Sequence, residues 1–179
     1  MVGGHQALMN DATSDQPDGA MIHPSGGGTV TIKMSKLTYH VGESLGFTIT
    51  TDTDCFVKII QLGADSSATQ LVPNGYNSVN RLRAGERRVF PGRTTDGANE
   101  LAFRTTPPAG AETLLVLVSL SQFRDDLTAP SSKQQPFRGY SRGALIGNRG
   151  VILIQAGAPD SLPKESTVAA GQVGYQLVE

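Results

Sequence analysis

SLGFTITTDTDCFVKIIQL, residues 44–62, decides the fold class. Leu45, Phe47 and Ile49 alternate with polar or small neighbours, then Asp52-Thr53-Asp54 interrupts, and Cys55, Val57 and Ile59 take up the alternation again. A period of two is that of a half-buried strand, whereas a helix would repeat every three or four residues. Two such runs across a three-residue polar break predict a β-hairpin.

Working outward, the same period recurs. Val30, Ile32 and Met34 alternate with Thr31, Lys33 and Ser35, and Tyr39-His40-Val41-Gly42-Glu43 predicts a turn before Ser44. Downstream strands are expected at Thr69–Val72, Arg87–Phe90, Glu100–Arg104, Glu112–Ser119, Gly150–Gln155 and Gln172–Val178. Pro73-Asn74-Gly75, Pro91-Gly92 and Pro107-Pro108-Ala109-Gly110 punctuate them as turns. About nine short strands at this spacing predict an all-β, two-sheet antiparallel sandwich of the immunoglobulin-like kind. Helix is expected at most over Ser121–Leu127 and Ser161–Thr167. Residues 1–28, polar and Gly-rich, read as a flexible arm, with one domain over 29–179. Residues 124–148 lack periodicity and read as a long loop.

Composition agrees with this class. The chain of 179 residues carries 21 Gly and 10 Pro but no Trp, so its core must rest on Val, Ile and Leu, which suit strands. One cysteine, Cys55, excludes an internal disulfide and a four-cysteine metal site. No apolar run approaches the roughly 20 residues of a transmembrane helix. Met1–Asn10 has neither a basic start nor an apolar stretch of signal-peptide type.

No catalytic constellation emerges, and no cofactor is expected. Cys55 with His40 as base would be the one nucleophilic pair, but Cys55 falls on the inward phase of an apolar strand, where cysteine behaves as a small hydrophobe. His5, His23 and His40 have no ligand partner at short spacing, which argues against zinc. Asp52 and Asp54, with Asp65 beyond, resemble a fragment of a calcium loop, but the remaining ligands and the distal Glu are missing. Aspartates also suit turns for their own sake. No phosphate-binding loop or serine-nucleophile motif is present, and Asp125-Asp126 reads as an adjacent solvated pair.

Arginine is the informative residue type. Residues 81–149 hold ten Arg and one Lys against six acids, although the whole chain carries a net charge of -1. Arg81, Arg83, Arg87, Arg88 and Arg93 fall within thirteen residues opposed only by Glu86, and Arg81 and Arg83 would share a strand face. Phe137, Arg138, Tyr140 and Arg142 interleave aromatics with arginines in the expected loop. These types favour a protein interface. An anionic glycan or lipid headgroup is the alternative, and a merely solvated, edge-protecting basic face the plainest reading. A pI near 6.3 argues against a general nucleic-acid binder.

One resemblance covers residues 36–119. Leu37-Thr38-Tyr39 with Val41-Gly42-Glu43, Phe47-Thr48-Ile49, Asp52-Thr53-Asp54-Cys55-Phe56, Leu71-Val72-Pro73-Asn74, Leu82 with Ala84-Gly85-Glu86, and Pro107-Pro108-Ala109-Gly110 with Glu112 occur in that order before Leu114–Ser119. The pattern resembles a bacterial domain family of unknown function, often appended to caspase-like peptidase or protein-kinase domains or found in exported proteins. The resemblance implies a β-sandwich accessory domain without an established active site, with Cys55 in the scaffold, and a periplasmic or secreted setting. The expectation is therefore a non-catalytic interaction module of an envelope, secretion or signalling assembly, with a cysteine-dependent enzyme as the least favoured reading.

Overall fold

A computed structural model describes residues 17–123, 138–141 and 168–179. Thirteen strands run through them: β1 (Gly19–Ile22), β2 (Val30–Met34), β3 (Thr38–His40), β4 (Ser44–Leu45), β5 (Phe47–Thr51), β6 (Cys55–Leu62) and β7 (Ser67–Val72), then β8 (Arg81–Leu82), β9 (Arg87–Phe90), β10 (Phe103–Arg104), β11 (Gly110–Ser119), β12 (Arg138–Ser141) and β13 (Val168–Val178). No helix occurs among the described residues.

The strands form a sandwich. One sheet has the order β1-β2-β5-β9; the other runs β12-β7-β6-β11-β13-β3, with β8 also on β6; β4 and β10 make a separate two-stranded ribbon. All pairings are antiparallel except β3 with β13, where Thr38–His40 run parallel to Gln176–Val178. That pair is the exception to the antiparallel expectation.

Alternation explains what lies between the sheets. Val30, Ile32 and Met34 of β2 and Phe47 and Ile49 of β5 face Val57 and Ile59 of β6, Leu114, Val116 and Val118 of β11, and Val173, Tyr175 and Leu177 of β13 in one buried cluster. The five consecutive apolar residues Leu114–Val118 have a separate cause. Their even-numbered members enter this cluster, while Leu115 and Leu117 join Ile60, Ala68 and Phe123 in a second buried layer on the other face of the sheet. A strand buried on both faces loses its alternation.

Several expectations are corrected. β5 and β6 do not form a hairpin: β5 pairs with β2 and β9, β6 with β7, β8 and β11, so Asp52-Thr53-Asp54 carries the chain from one sheet to the other. Alternation identifies strands but not which sheet each joins. The run expected from Ser44 to Thr51 is broken at Gly46, whose carbonyl accepts from Ser35 N–H at 2.8 Å and from the Tyr39 hydroxyl at 3.0 Å; a Cβ there would lie 2.7 Å from Ser35 Oγ. Order also begins earlier than Thr29, because Gly19–Ile22 pairs with Val30–Lys33 inside the expected arm. Likewise β12 lies inside the expected 124–148 loop. The strand expected at Glu100–Arg104 contracts to Phe103–Arg104, and that expected at Gln172–Val178 begins at Val168. The expected strand Gly150–Gln155, the helix Ser161–Thr167 and most of Ser121–Leu127 lie outside the described residues, and Ser121–Phe123 are not helical.

Candidate functional site

Conventional chemistry finds little purchase. Cys55 is buried beside Leu82, with Sγ 3.7 Å from Thr51 Oγ1, and burial pushes its thiol pKa up. A thiol held neutral is a poor nucleophile. His40 is on β3, at the far edge of the same sheet, and its Nδ1 lies 2.8 Å from the Glu179 carbonyl. Asp52 accepts from Thr29 N–H, and Asp54 from Ala84 N–H and Arg81. Asp65 accepts from Ser67 N–H in the turn at the opposite end of β6, so one ion could not join all three. Among the described residues no three His, Cys, Asp or Glu side chains group as metal ligands.

The sandwich does bury one polar network that the sequence reading missed. Tyr175 donates its hydroxyl to Glu112 Oε2 at 2.5 Å, and Gln61 Nε2 donates to the same carboxylate oxygen at 2.9 Å and to the Tyr175 oxygen at 2.8 Å. Burial, then the Glu112 carboxylate, pushes the Tyr175 phenol pKa far up. The signal was present, because Glu112 shares the inward phase of Leu114, Val116 and Val118. These groups satisfy one another, as buried polar groups must, and the network ties β6, β11 and β13 together.

The arginines divide into two sets. Arg88 shares the inward phase of Phe90, and its guanidinium bridges the sheets: Nη2 donates to the Arg81 carbonyl at 2.7 Å and to Glu86 at 2.6 Å, Nε to Glu86 at 2.8 Å, and Nη1 to the Val79 carbonyl at 3.4 Å. Burial alone would raise the Glu86 pKa, but Arg83 N–H and the Arg88 guanidinium together hold it below its usual range. Arg81 pairs with Asp54 at 3.1 Å, whose pKa is lowered first by Ala84 N–H and then by Arg81. Arg93 meets Glu100 at 3.6 Å. By contrast, the exposed side chains of Arg83 and Arg87 meet no carboxylate among the described residues.

Topology sets these residues on one flank. β7 and β8 both pair with the edge of β6 opposite β11, and Arg88 fastens β9 of the other sheet to β8. Between β7 and β8, Asn74 orders the connecting loop by accepting from Tyr76 and Asn77 N–H and donating to the Leu71 carbonyl. Among the described residues Tyr76, Val79 and Val89 are the large hydrophobics exposed on this flank, Val89 at 53%. β12 extends the same flank outside β7, with Arg138 opposite Gln70 and Tyr140 opposite Ala68, toward the other end of β6. Thus Arg81, Arg83, Arg87, Arg88, Arg138 and Tyr140 are brought to one side of the sandwich. Phe137 and Arg142 lie outside the described residues.

Residues 38–122 match the model of a domain of unknown function (DUF4384). The matched segment contains β3 through β11, hence the β8–β9 flank, while β1, β2, β12 and β13 lie outside it. No curated protein and no solved structure matches the chain. Among the described residues no helix is long and apolar enough to cross a membrane.

Proposed function

We propose, starting from a segment matched to a domain of unknown function, that this chain is a non-catalytic interaction module. It serves a bacterial cell-envelope, secretion or signalling assembly and docks a protein partner through the β8–β9 flank. The observation that supports this reading is the sorting of the arginines. Arg81, Arg88 and Arg93 each pair with a carboxylate, whereas among the described residues Arg83 and Arg87 stand exposed without an ion pair. The Arg83 side chain acts on Asp54 and Glu86 only through its charge, and the exposed Val89 lies two residues from Arg87. Arginine at the border of an apolar contact is a frequent composition of protein interfaces. The buried, neutral Cys55 and the dispersed acids support the non-catalytic part.

A photo-cross-linking amino acid placed at Val89 tests the reading in the living bacterium. Its control is Met21, 65% exposed on β1 at the opposite edge of the same sheet. A discrete protein adduct is expected from position 89 and not from 21. Equal adducts from both, or none from 89, would remove the assignment. An anionic glycan or lipid headgroup held by the same arginines would instead give steeply salt-sensitive binding and no protein adduct. The exposed Val89 two residues from Arg87 favours the protein.

A further inference from the structure

We propose that β9 is an open acceptor edge, to which an acidic, extended segment of the partner adds as a fifth strand of the four-stranded sheet. This deepens the preceding reading of the flank and rests on it.

The geometry begins with β5. Thr51 N–H donates to the Glu86 carbonyl at 3.1 Å, toward β9, and Asp52 N–H donates to the Thr29 carbonyl at 3.2 Å, toward β2. In an antiparallel ladder the side to which a residue's backbone groups point alternates along the strand. The register Phe47↔Phe90 through Thr50↔Arg87 is unbroken. Ile49 and Arg88, then Phe47 and Phe90, therefore exchange the bonds between β5 and β9. Arg87 and Val89 turn their N–H groups away from β5, toward an edge on which no further strand lies among the described residues. Neither N–H is bonded to another backbone or side-chain group of the described chain.

Charge selects the occupant. Three of the five arginines between 81 and 93 have a carboxylate, in Asp54, Glu86 and Glu100. The surplus is Arg83 and Arg87, at the end of β9 nearest the sheet-to-sheet crossover. A second copy of this chain pairing β9 with β9 would bring two such arginine pairs close together, and like charges across a strand pair are unfavourable. An acidic segment meets them with opposite charge, and an apolar residue in it covers Val89. Sheet edges are blunted by short length, charge, proline or a bulge. β9 has the first three, in its four residues, its two arginines and Pro91 just beyond it, so its charge repels a like edge and admits an acidic one. β9 has no bulge, and the residue between Arg88 and Phe90 on its outer face is an exposed valine. Addition of an extended peptide to a free edge draws affinity from the main chain and selectivity from alternate side chains.

The probe is a synthetic seven-residue peptide alternating glutamate with valine and threonine, titrated at low salt into the isotopically labelled chain. Amide exchange at Arg87 and Val89 should slow by about tenfold or more at millimolar peptide, as expected when an open edge becomes hydrogen-bonded. The same peptide with lysine for glutamate should give no slowing. Arg87→Glu should abolish the effect, and so should Val89→Pro, which removes an N–H that β5 does not use and which an edge strand tolerates. The dispersed amide spectrum of each variant verifies that it remains folded. Peptide binding without protection at Arg87 and Val89, or equal protection by the lysine peptide, overturns strand addition. Protection that rises with protein concentration alone would show self-pairing and also overturns it. A protein cross-link from position 89 without peptide protection would sink strand addition and leave the docking flank standing, whereas loss of both would sink both.

Discussion

The two flanks of this sandwich are finished differently. On one, β3 lies parallel to β13, Val41 N–H donates to the Val178 carbonyl at 2.9 Å, and the buried Tyr39 ring meets Tyr175 edge-on at 5.6 Å. β1 settles on the same flank, with Ile22 over Gly171, where a Cβ would lie 2.5 Å from Ile22 Cγ1. Each of these contacts ends on another part of the chain. On the other flank, Arg88 pins the two sheets together, but the Arg83, Arg87 and Val89 side chains are exposed, and neither arginine forms an ion pair among the described residues. The first flank holds the fold; the second is the one proposed to dock a partner. A residue's type does not tell which it serves, since adjacent arginines, Arg87 and Arg88, fall on opposite sides of that division.

The contrast breaks first at Tyr39. Tyr39→Ala removes a buried ring, its edge-on partner and the hydroxyl that bonds Gly46, and should cost about 3–5 kcal/mol in denaturant unfolding. Tyr175→Phe keeps the ring but deprives Glu112 and Gln61 of a partner, so about 1–3 kcal/mol should be lost. On the open flank the neighbouring arginines should separate. Arg88→Ala takes the donor from Glu86 Oε1 and the Arg81 carbonyl, leaving Glu86 only Arg83 N–H, and should cost about 1–2 kcal/mol, while Arg87→Ala should stay within about 0.5 kcal/mol. Similar losses for the two would erase the distinction drawn between them.

The smallest expected effect is alkaline. The folded chain holds the Cys55 thiol protonated above its ordinary value of 9.0, because burial disfavours the thiolate. Below that pH the contribution is fully present. As pH rises through 9 the unfolded chain releases its proton first, so stability falls until the folded thiol also ionises. Denaturant midpoints for the parent chain should decline from pH 8 to 10 more than those of Cys55→Ala. Equal declines would mean that the thiol is not shielded.

Much of this fold is legible in residues 44–62 because burial imposes a period of two on both runs. The inward phase of Cys55 is visible for the same reason. Sheet membership is not visible, since Asp52-Thr53-Asp54 suits a hairpin turn and a crossover equally well. Strand β1 escaped notice because four residues, with two glycine or alanine among them, present too little alternation to read. For the candidate site, the arginine cluster could be seen, but its division into bridging Arg88 and outward Arg87 depends on which carboxylates and carbonyls the fold brings near. Val89 gave no signal, because a valine in a strand is ordinarily a core residue.

The most direct test follows once the cross-link from position 89 has identified the partner. Its affinity is measured for the parent chain and for the double variant Arg83→Glu/Arg87→Glu, alongside thermal unfolding of both. A loss of roughly a hundredfold is expected, since both charges turn from attraction to repulsion, with the unfolding temperature moved by no more than about 2 °C. Unchanged affinity in a folded double variant would contradict the claim that this flank is where the partner docks.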